Sequence, residues 1–285
     1  MSDDRGEELR VLAEQLAVEA AAFVRRRRAE VFDDEEGAAS GAVHTGLVGT
    51  KSTPTDPVTV VDTETELLLR DRLGALRPDD VILGEEGGGP AAGADGAVCW
   101  VIDPIDGTVN FMYGIPAYGI SIAAQIDGRS VAGAVADVVG GEVYSAAAGR
   151  GAHVYSGGRR RVLRASTVTE LSMALVGTGF GYAARRRAEQ SALLAELLPL
   201  VRDVRRIGSA SLDLCLVAAG RLDAHYEHGL HVWDWAAGAL IAREAGAVVA
   251  LPAPDEDGGL LVAAAPGIAA ELTGALERLG GLRPL

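Results

Sequence analysis

The sequence is short of cysteine, of lysine, of positive charge in general and of long apolar runs. Each shortage removes a class of protein. Its two cysteines, Cys99 and Cys215, sit in apolar segments with neither CxxC nor metal-site spacing, so they read as small core residues. The longest apolar stretches, such as LVAAG and GALIAREAGAVVALPA, are short or broken by charge. The opening residues MSDDRGEELR are acidic where a secretory signal would be basic and then apolar. A cytoplasmic protein without a membrane segment is expected. With 26 Lys and Arg against 40 Asp and Glu, the formal net charge is −14. Nucleic acid needs a basic footprint and is therefore not expected as a main partner. The two arginine runs, Arg25 to Arg28 and Arg185 to Arg187, fall in helical stretches and read as solvated helix ends or subunit contacts. Any anionic substrate would require the charge to be reversed locally.

What is present is a chain of 285 residues, 48% hydrophobic, long enough to bury a sizeable core. Residues 5–30 read as a long amphipathic helix, followed by a Gly/Ser/Thr/Pro-rich loop longer than a simple connection needs. A helix over 62–76, strands at VILG and AVCWVID, and a meander punctuated by Asp127-Gly128 and Gly140-Gly141 make the first half α+β. From about Ser166 strands and helices alternate, which predicts an α/β lobe with helices covering a sheet. The expected organisation is an N-terminal half, 1–165, and a C-terminal half, 166–285, packed as one compact catalytic unit. No internal repeat of fixed period is present.

Four places put acids at element ends: Asp62 in TVVDTE, Glu85 and Glu86 in LGEEGGG, Asp103 and Asp106 in DPIDGT, and Asp234 in VWDWAAG. Singly, Asp62 and Asp234 would serve as helix N-caps and Asp106-Gly107 as a turn. Together, three of the four follow apolar strand-like runs whose ends can converge on one crevice, where clustered carboxylates need a cation. Carboxylates and carbonyls without His or Cys in these motifs favour a hard ion, so Mg²⁺ is expected rather than zinc. Two carboxylates three positions apart around a proline let one bridge two ions while the other binds the second, with the Ile105 carbonyl between them. Such a pair would polarise a phosphate and activate a water. Gly107 lets the backbone approach an anion, amides opening the short helix TVNFMY would face it, and the Thr108 hydroxyl can orient the water.

GEEGGG, WVIDPIDGTVNF and HVWDWAAGALIAREAGA resemble the three signature regions of the inositol monophosphatase family, within the lithium-sensitive, Mg²⁺-dependent phosphatases. The resemblance extends to KSTPTDPVTVVDTETE and to RRIGSASLDLCLVAAGRLDAHYEHGLHVWD, and so covers about residues 50–250. It implies a layered αβαβα sandwich, usually a homodimer, that hydrolyses small sugar or polyol phosphates such as inositol monophosphate. It further implies that Glu85, Asp103 and the Ile105 carbonyl hold a first Mg²⁺, that Asp103, Asp106 and Asp234 hold a second, and that Glu85 serves a third through water. Thr108 with Asp62 would position the nucleophilic water, with Glu85 as its proton acceptor, Glu86 beside the site and Lys51 in the loop near the metals. Gly208, Ser209, Ala210 and Glu227 match the segments that bind the sugar hydroxyls, with Asp106, Gly107 and Thr108 on the phosphate side. His225, His228 and His231, beside Glu227, read as ordinary polar positions, since carboxylates already account for the metals.

Two other readings stand beside this one. A sister phosphatase of the same fold would act on histidinol phosphate, fructose 1,6-bisphosphate or a 3′-phosphonucleotide, because the metal motifs are shared and the sugar pocket is not. A dimeric binding or regulatory protein would dock on transcription or translation machinery and keep phosphatase activity as a secondary property.

Overall fold

The computed structural model describes residues 3–33, 48–51, 57–90, 93, 96–253 and 258–285. Most of the Gly/Ser/Thr/Pro-rich loop, residues 34–47 and 52–56, lies outside them. Helix α1 (Asp3–Arg28), extended by a π turn over Ala29–Asp33, and helix α2 (Val60–Leu76) form the outer layer. A two-stranded ribbon of β1 (Val48–Thr50) and β2 (Pro57–Thr59) leads into α2.

Below these helices lies a seven-stranded sheet, ordered β3 (Val81–Gly84), β4 (Val98–Asp106), β5 (Gly119–Ile126), β6 (Arg129–Asp137), β7 (Val143–Ala147), β8 (Ala152–Ser156) and β9 (Arg159–Val162). Only the β3–β4 pair is parallel; the others form the expected meander. Asp127 and Gly128 both take positive φ, 50° and 72°, the left-handed pair that a two-residue hairpin turn requires. Short helix α3 (Thr108–Tyr113) follows β4 directly after Gly107.

Helices α5 (Ala210–Ala218) and α6 (Val232–Glu244) fill the middle layer. Their buried residues share one core cluster with the first sheet and with Leu261 and Ala263 of the second. The Ala-Ala-Gly-Ala run of α6 suits this place: Ala237 packs against Gly133 of β6, and Gly238 against Leu214 of α5. Side chains this small let a helix approach packed neighbours on several sides. The second sheet runs β11 (Asp203–Arg205), β10 (Leu175–Thr178), β12 (Ala224–His228), β14 (Leu260–Ala264), β13 (Val248–Ala250). Its outer face is covered by α4 (Ala184–Leu197) and α7 (Ala269–Arg278) through a separate apolar cluster. The layers therefore read helix, sheet, helix, sheet, helix, the αβαβα sandwich that the resemblance implied.

Five strands depart from the sequence reading, which gave the stretch holding β1 and β2 as loop. β8, β9 and β14 were not expected as strands either, and they complete the two larger sheets. Asp62 and Asp234 are not N-caps. Each stands at the third helical position, with Thr59 and His231 as the capping residues. Both cysteines are buried and free, as read. Among the described residues, no helix is long and apolar enough to cross a membrane.

Candidate active site

A cleft of about 380 Å³ opens between the two sheets. Most residues named from the sequence line it: Lys51, Glu85, Asp103, Ile105, Asp106, Gly107, Thr108, the Gly208 to Ala210 turn, Glu227 and Asp234, whereas Asp62 and Glu86 do not. Asp62 stands behind Thr108, and its Oδ1 accepts the Thr108 hydroxyl at 3.0 Å.

β4 explains why two aspartates flank Pro104 and Ile105. All nine of its residues are buried, and its register with β5 slips between Asp103 and Asp106: Asp103 faces Ser121 while Asp106 faces Gly119. Three steps along one strand thus oppose two on its neighbour. In a regular strand positions three apart point to opposite faces, and one extra residue returns them to the same side. Asp234, at the start of α6, completes the group, and carboxylate oxygens of Asp103, Asp106 and Asp234 lie within 4.8 Å of one another.

Each of these carboxylates keeps an oxygen on a donor of the chain. Asp103 Oδ1 accepts the Ile105 amide at 3.0 Å, Asp106 Oδ2 accepts the Ser209 hydroxyl and the Ser211 amide, both at 2.7 Å, and Asp234 Oδ2 accepts the His231 amide at 2.6 Å. The carboxyl groups are therefore oriented, each with a second oxygen to offer. Among the described residues no cation pairs with any of the three. Burial, reinforced by the mutual repulsion of Glu85, Asp106 and Asp234, drives Asp103 well above the usual carboxylate range. Burial with repulsion from Glu85 and Asp106 does the same to Asp234. Burial lifts Asp106 to about 6 against the hydrogen bonds from Ser209 and Ser211. Oriented hard oxygens, buried and without a counter-charge, fit a divalent cation.

Glu85 and Glu86 are served differently. Lys51 Nζ lies 2.7 Å from Glu85 Oε1 and 2.6 Å from Glu86 Oε1. Burial works against the Lys51 charge, but the pull of both glutamates outweighs it and holds the ammonium pKa above its ordinary range. Burial raises Glu86 to about 7. Asp62, wholly buried, is raised to about 6 by burial despite its bonds to Thr59 and Thr108.

Gly107 takes φ 99° as the cap of α3, and a β-carbon there would sit 3.0 Å from the Gly208 carbonyl and 3.1 Å from that of Ala117. Only glycine fits this junction of the two lobes. The Thr108 hydroxyl has one proton and two acceptors in reach, Asp62 Oδ1 and the Ile105 carbonyl at 3.1 Å. Its lone pairs remain for a further donor.

Two supporting residues were missed by sequence reading. Glu66, buried on α2 one turn beyond Asp62, accepts the amides of Glu86 and Gly87, each at 2.8 Å, and so anchors the glutamate-bearing loop. The i, i+4 spacing from Asp62 was the available signal. Asn110 ties α3 to the Gly208 turn by donating to the carbonyls of Ala117 at 2.7 Å and Ile207 at 2.9 Å; nothing in its local sequence announces that. Of the three histidines, His228 and His231 line the cleft, His231 holding Asp234 through its backbone amide. His225 is buried between Asp213 and Glu227, His228 contacts the Gly281 carbonyl at 2.7 Å, and the His231 ring stacks on Trp233.

A layered αβαβα sandwich that gathers buried carboxylates at strand and helix ends around one cleft defines a metal-dependent phosphatase. Comparison with known proteins agrees. The model of the "Inositol monophosphatase family" matches residues 6–280. The chain is 66% identical to an inositol-1-monophosphatase of Mycobacterium leprae, over 99% of this chain and 98% of that protein. The solved structure of Mycobacterium tuberculosis SuhB superposes with a TM-score of 0.82 at 60% identity, over 97% of this chain and 98% of that one. A Nus factor SuhB of Pasteurella multocida is 38% identical over 81% of this chain and 86% of its own. The chain belongs to the inositol monophosphatase family and is a phosphatase.

Proposed function

We propose that the protein hydrolyses an inositol monophosphate to inositol and inorganic phosphate, using two or three Mg²⁺ ions held by Glu85, Asp103, the Ile105 carbonyl, Asp106 and Asp234. The observation that carries this reading is the convergence of three oriented aspartates, Asp103 and Asp106 buried and Asp234 half-buried, without a cationic partner among the described residues, on a cleft also lined by Glu227. When bound, the ions polarise the phosphate and make a water nucleophilic near neutral pH.

The chain's own groups do the rest. Asp62 accepts the hydrogen bond that the Thr108 hydroxyl donates, so that the Thr108 oxygen keeps its lone pairs to accept from the attacking water and orient it. Glu85 receives the water's proton, and Lys51 balances Glu85 and Glu86 beside it. Gly107 allows the backbone close to the phosphate. At the polyol end, Gly208, Ser209 and Ala210 shape the wall, and Glu227 accepts hydrogen bonds from ring hydroxyls, which a carboxylate does well. Asp106 links the two ends, since Ser209 and Ser211 hold its Oδ2 and its other oxygen would be left to ligate an ion. The reading includes a cytoplasmic homodimer, and within each chain the halves 1–165 and 166–285 act as one unit, because Asp103 comes from one and Asp234 and Glu227 from the other.

Phosphate release from inositol monophosphate, histidinol phosphate, fructose 1,6-bisphosphate and a 3′-phosphonucleotide, with Mg²⁺ titrated, tests this. Inositol monophosphate should lead in kcat/KM. A different leader overturns the substrate, and no Mg²⁺-dependent release from any of them overturns the catalytic reading.

The likeness to a Nus factor SuhB supports a second reading, that of a binding protein. Against contact through the first arginine run, Arg25 donates to the Val138 carbonyl at 2.8 Å, Arg27 pairs with Glu64 at 2.7 Å and Arg28 donates to the Phe111 carbonyl at 3.2 Å, all within the fold. A cellular phenotype that survives Asp103→Asn would favour the binding role.

A further inference from the structure

Behind Glu227 runs a column of polar groups that the hydrolytic reading leaves unused. His225 and Glu227 are two apart on β12 and face the same side of the second sheet, toward α5. His225 is fully buried. Its Nδ1 lies 3.8 Å from Asp213 Oδ2 on α5, and its Nε2 lies 3.3 Å from Glu227 Oε2. Asp213 is 1% exposed, and neither its Oδ1 nor either nitrogen of the ring has an aligned hydrogen bond. Glu227, by contrast, reaches the cleft.

The neighbouring strand is bare along this column. A β-carbon at Gly177 would stand 3.0 Å from His225 Nδ1 and 3.1 Å from Asp213 Oδ1, and one at Gly179 would overlap the Glu227 carboxylate. Two glycines thus make the room that three polar side chains occupy inside a core lined by Val217, Leu222, Leu261 and Ala263.

Charge and proton counting decide what the column does. An imidazole between two carboxylates can donate to both only when both nitrogens carry hydrogen; a neutral ring turns a lone pair toward one of them. One imidazolium between Asp213 and Glu227 leaves the trio with a single negative charge, and the end open to the cleft is Glu227. The charged groups acting on His225 are Asp213 from α5, Glu227 from its own strand and Asp106 from β4. Burial opposes the ring's charge and these anions outweigh it, so the proton is held above the usual histidine range.

We propose that Asp213 and His225 are positioning residues that hold the Glu227 carboxylate charged and turned into the cleft, and so set recognition of the substrate's hydroxyls. This rests on the polyol-binding role of Glu227.

The test uses the full-length His225→Phe, Asp213→Asn and Glu227→Gln proteins, with kcat and KM measured for inositol monophosphate and for 4-nitrophenyl phosphate, which has no polyol hydroxyls. His225→Phe should raise KM for inositol monophosphate about tenfold, on the scale of one charge-assisted hydrogen bond. Asp213→Asn should raise it less. Both should keep kcat within about twofold and leave the aryl phosphate unchanged, whereas a merely structural role would move both substrates together. Nitrogen-15 spectra of the wild type should show both ring nitrogens of His225 protonated at pH 7. Equal losses on the two substrates, unchanged KM in both variants, or a neutral ring overturns the inference. If His225→Phe does not fold, Asp213→Asn and the spectrum decide. Glu227→Gln separates the levels: no polyol-selective effect there overturns the role of Glu227 itself, while a selective effect with His225→Phe and Asp213→Asn silent overturns only the positioning pair.

Discussion

At the first sheet's end of the cleft, the backbone dictates where the functional groups stand. Asp103 and Asp106 are brought to one side by a slip in register, Gly107 is locked by the carbonyls around it, and Asp234 is fixed by the first turn of α6. At the second sheet's end, Glu227 is held by side chains, with His225 and Asp213 behind it and the bare Cα of Gly179 beside it. A group set by backbone geometry moves only if the fold moves, whereas one set by side-chain packing can be redirected by a single substitution. The contrast suits a phosphatase: phosphate chemistry is the same for every monoester, and the alcohol is what differs.

The sharpest way to break this comparison is Asp103→Asn, which removes one negative charge from the three-carboxylate group. Phosphate release at saturating Mg²⁺ should fall by about 10³-fold or more, equally for inositol monophosphate and an aryl phosphate, because the remaining ligands hold the ions weakly and misplaced. Selective loss of one substrate would show that the two ends are not separate. Thr108→Ala comes next. Loss of a group that orients the water should lower kcat by about 10²-fold while KM and Mg²⁺ affinity stay close to wild type, an effect expressed in the transition state.

At the other end the effects are smaller and selective. Glu227→Gln should cost roughly 1.5–3 kcal/mol toward inositol monophosphate, about tenfold to a hundredfold in kcat/KM, with aryl phosphate turnover nearly unchanged. Gly179→Ala should be milder still. Its backbone needs no left-handed conformation, and the group a methyl would meet is the mobile end of Glu227. The side chain swings aside, KM for inositol monophosphate rises by about threefold to tenfold, and the thermal midpoint changes little. A large drop in that midpoint would mean the carboxylate cannot move.

The legible part of the molecule follows the same division. DPIDGT, GEEGGG and the WD segment announce their chemistry because each packs several ligands into a few residues, and the hairpins at Asp127-Gly128 and Gly140-Gly141 are marked by turn residues. β9 was hidden because its four residues, Arg-Arg-Arg-Val, are all exposed and show no apolar alternation; as the edge of the sheet, its charges discourage pairing with another chain. β14, Leu-Leu-Val-Ala-Ala, is a short apolar run that period alone cannot tell from a helix. The N-cap readings of Asp62 and Asp234 missed by three positions because a capping box puts an acid at the third helical residue as readily as an Asp puts itself at the cap. Asn110, Asp213 and His225 could not be found by motif, and Glu66 offered only its i, i+4 spacing from Asp62. Their partners lie in other elements, and only the packing of the layers brings them together.

The most direct test of the account is a calorimetric titration of Mg²⁺ into the wild-type protein at pH 8 and pH 6. Burial raises Asp106 to about 6, and Asp103 and Asp234 well above the ordinary range, so in the ion-free protein protons compete with the cation for these oxygens. The fraction of protonated carboxyl grows as pH falls, and ligation requires the deprotonated form. The account predicts at least one Mg²⁺ bound per chain at pH 8, weaker binding with greater proton release at pH 6, and loss of that site in Asp103→Asn. Absence of binding at pH 8, or binding that neither the lower pH nor the substitution alters, would contradict it.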